Sequence, residues 1–444
     1  MEDAKMQTLQ SNISPLILSQ QLENFYPIDV AAIISNYSDE QLTTLIPLLD
    51  KNIWAQIIEQ LNSTIQQKIL VKMSLEQVIA IFEQMSKDDV VDLLGELPFS
   101  TRKAVLKKMK EQDRKIIESL QKFPSDSAGG IMTTEYIALN ENLTMAQALA
   151  KIKEIAPESE IISVIYLLNN EKQLVGTINL RQILIHKDND LLKTFQDKVF
   201  LTVYPDMDQE EVSQIVSKYD LIAIPVINHR QQLLGIITVD DIIDVIIDEQ
   251  TEDLLGLGGV DKEERLDMPL LASVSKRLPW LLVNLLTAFL ASFTVGLFQS
   301  TIQKVVVLAS VMSIVAGMGG NAGTQTLSLM IRSIALGKIQ VRKEWQFLSK
   351  EFCLSLINGA VTGLVTGVTL YFYYHNFYLG LIIFIAMIGN LIIAGVFGYV
   401  IPILLKKVNI DPAIASSIFL TTLTDVGGFF IFLMLAKIFL PFLK

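Results

Sequence analysis

The chain has one cysteine, Cys353, in 444 residues, which excludes an intrachain disulfide or a thiolate zinc framework. Its three histidines, His186, His229 and His375, have no metal-ligand spacing. No G-x-x-x-x-G-K-[ST] motif occurs, which argues against pumping driven by nucleotide hydrolysis. The net charge is −11 and no basic cluster occurs in the first 270 residues, so nucleic acid is not expected as a partner. MEDAKMQTLQ has no basic segment followed by an apolar one, so no signal peptide is expected and the N-terminal half should stay in the compartment of synthesis. Catalysis finds little support, and the chain reads as a non-enzyme.

Charge is missing from the C-terminal half in two long stretches, Lys304 to Arg332 and Glu351 to Lys406. Five apolar runs, approximately 278–301, 305–331, 352–374, 378–405 and 413–436, reach the roughly 20 residues a spanning helix needs. Arg332, Lys338, Arg342, Lys343 and Lys350 lie between the second and third runs, and Lys406 and Lys407 between the fourth and fifth. The opposite loops offer only Lys304. The positive-inside rule then predicts a multi-pass protein of the cell membrane, N-terminus cytoplasmic and C-terminus outside.

Residues 1–125 show apolar positions at three- and four-residue spacing, as in Leu42, Leu45, Ile46 and Leu49, with polar breaks every 20 to 30 residues. That pattern predicts stacked helical hairpins, a small α-solenoid. Ser86 and Asp89 resemble a capping box with a shorter acid. From about residue 124 two similar α/β units follow, ending in IISVIYLLNNEKQLVGTINLRQIL and DLIAIPVINHRQQLLGIITVDDII.

Residues 231–261 then hold eight acids and no Lys or Arg, seven of them between Asp240 and Asp253. On a helix, Asp241, Asp244, Asp248 and Glu252 fall within one narrow arc, with Glu249 and Asp253 alongside. A solvated face normally mixes signs. At about 6 Å and an effective dielectric of about 20, each like-charged pair costs at most roughly 3 kcal/mol before screening. Such a helix favours divalent cations, which bind through carboxylate oxygens at weak, millimolar-range affinity when Mg²⁺ keeps its waters. A solvated amphipathic face is the alternative.

In the membrane half, the run Gly317 to Gln325 (GMGGNAGTQ) predicts a broken second span whose freed carbonyls face a hydrated cation. Gly359, Gly363 and Gly367 fit close helix packing better. Asp425, between Thr421, Thr422 and Thr424 and Gly427 and Gly428, is a carboxylate in mid-span with no cationic residue nearby in its run. It costs several kcal/mol unless it faces water, a partner or an ion. The competing structural reading keeps it protonated or bonded to the threonines. Asp411, ahead of Pro412, reads as a helix cap.

The paired α/β units resemble tandem cystathionine-β-synthase (CBS) domains, whose Ser/Thr-x-x-Asp motif holds the ribose of adenine nucleotides. The second copy has it as Thr238 to Asp241; the first has Asn179, Arg181 and Gln182. Two readings stay open: an ATP or other adenine-nucleotide site at Thr238, Asp241 and Arg181, which the missing acid speaks against, and a structural, dimerising spacer.

With GGNAGTQ (319–325) and DPAIAS…TTLTDVGG (411–428), nearly the whole chain resembles the MgtE family of magnesium channels. The resemblance implies a helical N domain (1–125), a CBS pair (126–249), an acidic plug or connecting helix (240–270) and a five-helix pore domain (271–444). It also implies a homodimer in the lipid bilayer, with an ion path at the two-fold axis near Asp425 and Asn321. Asp241, Asp244, Glu249, Glu252 and Asp253 are similar to plug acids of the family, and Asp208, Glu210 and Asp220 to its CBS acids. Asp88 and Asp92 are candidates in the N domain, and Asp248 completes the acidic face. The expected function is a Mg²⁺-selective, potential-driven channel that imports Mg²⁺ and is closed by cytosolic Mg²⁺. A broader divalent importer (Mn²⁺, Co²⁺, Ni²⁺) and a non-conducting membrane-anchored sensor are the rivals. An intramembrane aspartyl protease lacks a second aspartate inside a span.

Overall fold

The structure is a computed structural model that describes residues 14–21, 25–199, 201–262, 264, 266, 268–337, 344–408 and 411–443. Two compact units divide the chain, Met1–Val245 and Ile246–Lys444. Lys338, Arg342 and Lys343, used in the topology argument, lie outside the described residues.

The first unit begins with α1 (Pro15–Gln21), α2 (Pro27–Ile34), α3 (Asp39–Leu45), α4 (Lys51–Glu59), α5 (Ser63–Lys72), α6 (Leu75–Phe82), α7 (Lys87–Glu96), α8 (Phe99–Lys108) and α9 (Glu111–Leu120). Four of them start at side-chain caps. Ser38 with Gln41 and Ser74 with Gln77 form reciprocal capping boxes, and Asp50 and Asn62 cap α4 and α5. Such caps contribute about 1 kcal/mol each. The apolar face of every helix enters one shared core containing Leu18, Ile34, Trp54, Ile69, Phe82 and Val90. Ser86 departs from the expected box: its hydroxyl donates to the Asp89 carboxylate at 2.5 Å instead of capping a backbone N–H.

Next come β1 (Tyr136–Asn140), α10 (Met145–Ile155), β2 (Ile161–Leu168), β3 (Leu174–Asn179) and α11 (Leu180–Ile185), then α12 (Gln209–Tyr219), β4 (Ala223–Ile227) and β5 (Leu233–Thr238). Strand β2 pairs parallel with β1 and antiparallel with β3, and β4 pairs antiparallel with β5. The duplication extends to the turns. Asn169 accepts from the N–H groups of Glu171 and Gln173, and Asn228 from those of Arg230 and Gln232. Lys172 and Gln231 take matching left-handed φ values of 62° and 61°. The two turns meet: Gln173 donates to the Arg230 carbonyl and Gln232 to that of Glu171.

The acidic helix α13 is Val239–Leu257, and its residues divide between the two units at Val245. It continues through Gly256 and ends at Gly258 and Gly259, the latter at φ +68°.

The second unit holds α14 (Leu270–Gly296), α15 (Gln299–Lys304), α16 (Val307–Ala335), α17 (Glu344–Tyr374), α18 (Phe377–Lys407) and α19 (Pro412–Ile438). Five of these are long and apolar enough to cross a membrane. Helix α18 is the most buried, packed against α16, α17 and α19. Gly359, Gly363 and Gly367 lie against the α18 backbone, where added Cβ atoms would stand 2.7–2.9 Å from Ile388, Phe384 and Gly380. The expected break in the second span is absent, since α16 is continuous from Val307 to Ala335. A glycine costs a helix only about 1 kcal/mol relative to alanine, and in a bilayer each freed backbone group costs several. The glycines therefore admit neighbours without opening the helix.

Candidate functional site

Helix α7 projects Asp88, Asp89 and Asp92 toward the first turns of α13, and acids from three other segments join them. Asp88 is pushed up to about 8 by burial first, then by Asp89, Glu160 and Asp241. Its Oδ1 is buried without a hydrogen-bond partner. Glu59, at the end of α4, is raised to about 7 by burial and by Asp89 and Glu135. Glu160, before β2, rises to about 7 through burial and then Asp241, Glu135 and Asp89, against a hydrogen bond from Thr133 that lowers it. Asp92 and Asp241 each rise to about 6, both mainly by burial and both with Asp89 among the charges that raise them. Asp89 itself is raised by burial and by Asp240 and Asp244, against its bond from Ser86. Lys87 is placed among these acids, 3.4 Å from Glu135 and 3.9 Å from Asp113.

One positive side chain is too little for this many carboxylates. Burial and mutual repulsion leave the cluster two ways to stay compact: to hold protons or to hold cations. Among the described residues no three acids are close enough to hold one ion together, so a hard divalent ion would have to draw these carboxylates closer.

The other end of α13 meets a second acid group within the membrane unit. Asp253 is raised to about 6 by burial first, then by Asp411, Glu249 and Glu252. Asp411 accepts from the Ala413 N–H at 2.8 Å and so caps α19, while facing Asp253 as well. Lys262 pairs with Glu252 at 3.0 Å. Asp248 is on the same helix, one turn before Glu252. Helix α13 thus supplies Asp240, Asp241 and Asp244 to one cluster and Glu249, Glu252 and Asp253 to another.

Asp208 and Glu210 open α12 and Asp220 closes it. Asp208 caps that helix by accepting from the Glu210 N–H, and Asp220 takes the left-handed conformation at its end. None of the raised acids counts these three among the charges that shift it.

The ribose motif is occupied by its own helix. The Asp241 carboxylate accepts from both the hydroxyl and the N–H of Thr238. In the first copy Asn179 and Gln182 cap each other reciprocally, and Arg181 is exposed.

In the membrane unit, Asn321 on α16 is exposed and Asp425 on α19 is half-buried. The threonines do not bond Asp425. Thr421 donates to Ser417, Thr422 to Ile418 and Thr424 to Thr421, all at backbone carbonyls of their own helix. Among the described residues the Asp425 carboxylate has neither an ion pair nor a hydrogen bond. The segments carrying Asn321 and Asp425 are joined by Asn390 of α18, which is fully buried and donates from Nδ2 to the Val315 carbonyl of α16 at 2.7 Å. Its amide sits against Gly319 of α16 and Gly428 of α19.

Asp89 was read only as a cap and Asp240 only as the start of the acidic run, while Glu59, Glu135, Glu160 and the second role of Asp411 were not singled out in the sequence. They stand alone or in mixed-charge surroundings there, and only tertiary packing assembles them.

Residues 312–435 match the MgtE family model, described as a divalent cation transporter. Residues 25–126 match the MgtE intracellular N domain, and 128–188 and 192–248 match CBS domains. The chain is 36% identical over 326 residues to the magnesium transporter MgtE of Enterococcus faecalis, covering 73% of this chain and 72% of that protein. It is 30% identical over 419 residues to the magnesium transporter MgtE of Bacillus subtilis, covering 94% and 93%. A crystal structure of the cytosolic domain of the Mg²⁺ channel MgtE in complex with ATP is 28% identical with a TM-score of 0.50, covering 52% of this chain and 94% of that one.

Proposed function

The chain belongs to the MgtE family, and from that premise we propose that it is a Mg²⁺ channel, driven by the membrane potential and closed by Mg²⁺ on the side of its acidic clusters. The observation that carries conduction is Asp425, a carboxylate inside an apolar helix with neither an ion pair nor a hydrogen bond among the described residues. Mg²⁺ dehydrates reluctantly, so an outer-sphere path past Asp425 and the Asn321 amide suits it. One carboxylate per chain is too few for a cage, and two copies about a two-fold axis would face two aspartates across it. The protein is accordingly read as a homodimer of the cell membrane, with its acidic half cytoplasmic and its C-terminus outside.

Gating follows from the acid clusters. Without Mg²⁺ the groups around Asp88 and Asp253 repel, and the compact arrangement is disfavoured. With Mg²⁺ shared between α7 and the start of α13, and between its end and Asp411, that arrangement gains. Moving a gate from 1:99 to 99:1 takes about 5.5 kcal/mol of differential binding, which several weak sites supply together. The ATP-bound relative supports adenine-nucleotide binding by the corresponding part of this chain; a nucleotide at the second CBS copy would compete with the Thr238 contact for Asp241.

A broader divalent importer is the second reading, favoured by the general description of the family model. The oxygen-only donors at Asp425 and Asn321 speak for Mg²⁺ over softer metals. Mg²⁺ flux into proteoliposomes under an inside-negative potential tests the proposal. Wild type should conduct, Asp425→Ala should not, and Mn²⁺, Co²⁺ or Ni²⁺ carried equally well would transfer the conclusion to the second reading. A folded wild-type protein that passes no Mg²⁺ would defeat conduction.

A further inference from the structure

The membrane unit carries a further carboxylate, Glu351 on α17, and it is not free-standing. Thr326 of α16 donates to Glu351 Oε1 at 2.6 Å. Around this pair lies a cavity of about 80 Å³, whose polar lining is Gln325, Thr326, Glu351, Ser355 and Asn358. A water position needs about 10–15 Å³ on this measure, so the cavity admits roughly five. Thr326 and Ser355 are buried, at 7% and 6% exposure. A Cβ at Gly395 of α18 would overlap Ser355 Oγ, and one at Gly398 would stand 3.1 Å from Thr326 Cβ. Gly395 thus makes room for the Ser355 hydroxyl, and Gly398 for the carbons of Thr326.

Among the described residues no Lys, Arg or His pairs with Glu351. Glu351 stands at the edge of the apolar run 352–374, where its helix enters the bundle. The groups facing it are hydroxyls and amides, which orient an oxygen toward a cation but neutralise nothing. A carboxylate, two hydroxyls and two amide oxygens form a hard donor set, suited to Mg²⁺ or Ca²⁺ over thiophilic metals. They are too few and too spread for a full inner shell, and the remaining volume is of the size that retained waters fill.

We propose that this cavity is a second cation site of the membrane unit, holding a partly hydrated divalent ion beside Glu351. Gln325 stands four residues, about one helical turn, beyond Asn321 on α16, toward Arg332. An ion leaving the level of Asn321 and Asp425 in that direction meets this site next. The placement on a route rests on the channel reading; the binding does not.

Cys353, exposed and the one cysteine of the chain, gives a native probe position. It is two residues from Glu351, about 3 Å along the helix axis. The full chain in nanodiscs is labelled there with a nitroxide and titrated with Mn²⁺, with Mg²⁺ as competitor. Wild type should show broadening that Mg²⁺ displaces. Glu351→Gln should raise the Mn²⁺ midpoint by about tenfold or more, the loss of one charged ligand, whereas Asp425→Asn and Asp411→Asn should leave it in place. If Glu351→Gln does not fold, Ser355→Ala replaces it and should weaken the midpoint. Displaceable broadening that is absent in wild type, or unchanged in the Glu351 or Ser355 variant, overturns the site. Flux measured on the same samples separates the two ideas: intact broadening without wild-type flux defeats the channel and keeps the site, and wild-type flux with unchanged broadening in Glu351→Gln does the reverse.

Discussion

Asn390 occupies the space that a side chain at Gly319 would need, so the amide of α18 and the bare backbone of α16 fit only as a pair. On its other side the same amide meets Gly428, where a Cβ would stand 2.7 Å from Nδ2. One side chain therefore sets the separation of the helices that carry Asn321 and Asp425.

Gly319→Ala should drive the Asn390 amide out of place. Overpacking of this kind costs about 1–3 kcal/mol, and the helix separation changes with it. The expected result is a lower melting temperature in detergent and a large loss of Mg²⁺ flux. Asn390→Ala combined with Gly319→Ala should recover part of the stability lost by Gly319→Ala alone. Thermal melts and flux on the same preparations check both.

Asp253 and Asp411 should behave as one unit. Asp411→Asn keeps an oxygen able to cap α19 while removing the charge. It and Asp253→Asn should each raise the Mg²⁺ concentration for half-closure, and the double variant should add less than the sum of the two shifts. Full additivity, measured as flux against Mg²⁺ on the acidic side, would place the two carboxylates at separate ions.

Asp88→Asn keeps the shape of this side chain, whose Oδ1 is buried without a partner, and removes its charge. Without Mg²⁺ and above about pH 8, where Asp88 is charged, the variant should melt a few degrees above wild type, since about 1 kcal/mol corresponds to roughly 2–4 °C at this size of unit. Its gain on adding Mg²⁺ should be smaller. A variant that melts lower without Mg²⁺ would show that the carboxylate supports the fold by itself.

Stability should also fall with rising pH when no divalent ion is present. Asp88 at about 8 and Glu59 and Glu160 at about 7 lie above the ordinary carboxylate range near about 4. The compact form then binds protons that the separated or unfolded chain has released. Its stabilisation is complete below the ordinary value and is lost as pH rises through 7 to 8. Melting temperatures should decline across that window in chelator and flatten in millimolar Mg²⁺, because a bound cation replaces the protons.

The acidic helix and the five apolar helices were legible because each is written in consecutive residues, as a charge run or an apolar run. The duplicated α/β units were legible from paired turns, which the Asn169 and Asn228 hydrogen bonds reproduce in detail. Glu59, Glu135 and Glu160 were not legible. Each is one acid in mixed surroundings, and what distinguishes it is burial beside residues far away in sequence. Asp411 was read as a cap, which it is, but a cap leaves one carboxylate oxygen for another task. The glycines from Gly317 to Gly323 misled for a different reason. Local propensity suggests a break, whereas the cost of unsatisfied backbone in hydrocarbon holds α16 intact.

Helix α14 has its main contacts with α19, about 140 residues later in the chain. During synthesis the first apolar helix would therefore enter the bilayer long before its chief companion exists. It would have to persist there surrounded by lipid, and its many outward-facing Leu and Phe side chains equip it to do so. Helix α14 therefore gains its main contacts only once α19, the helix that carries Asp425, has been made.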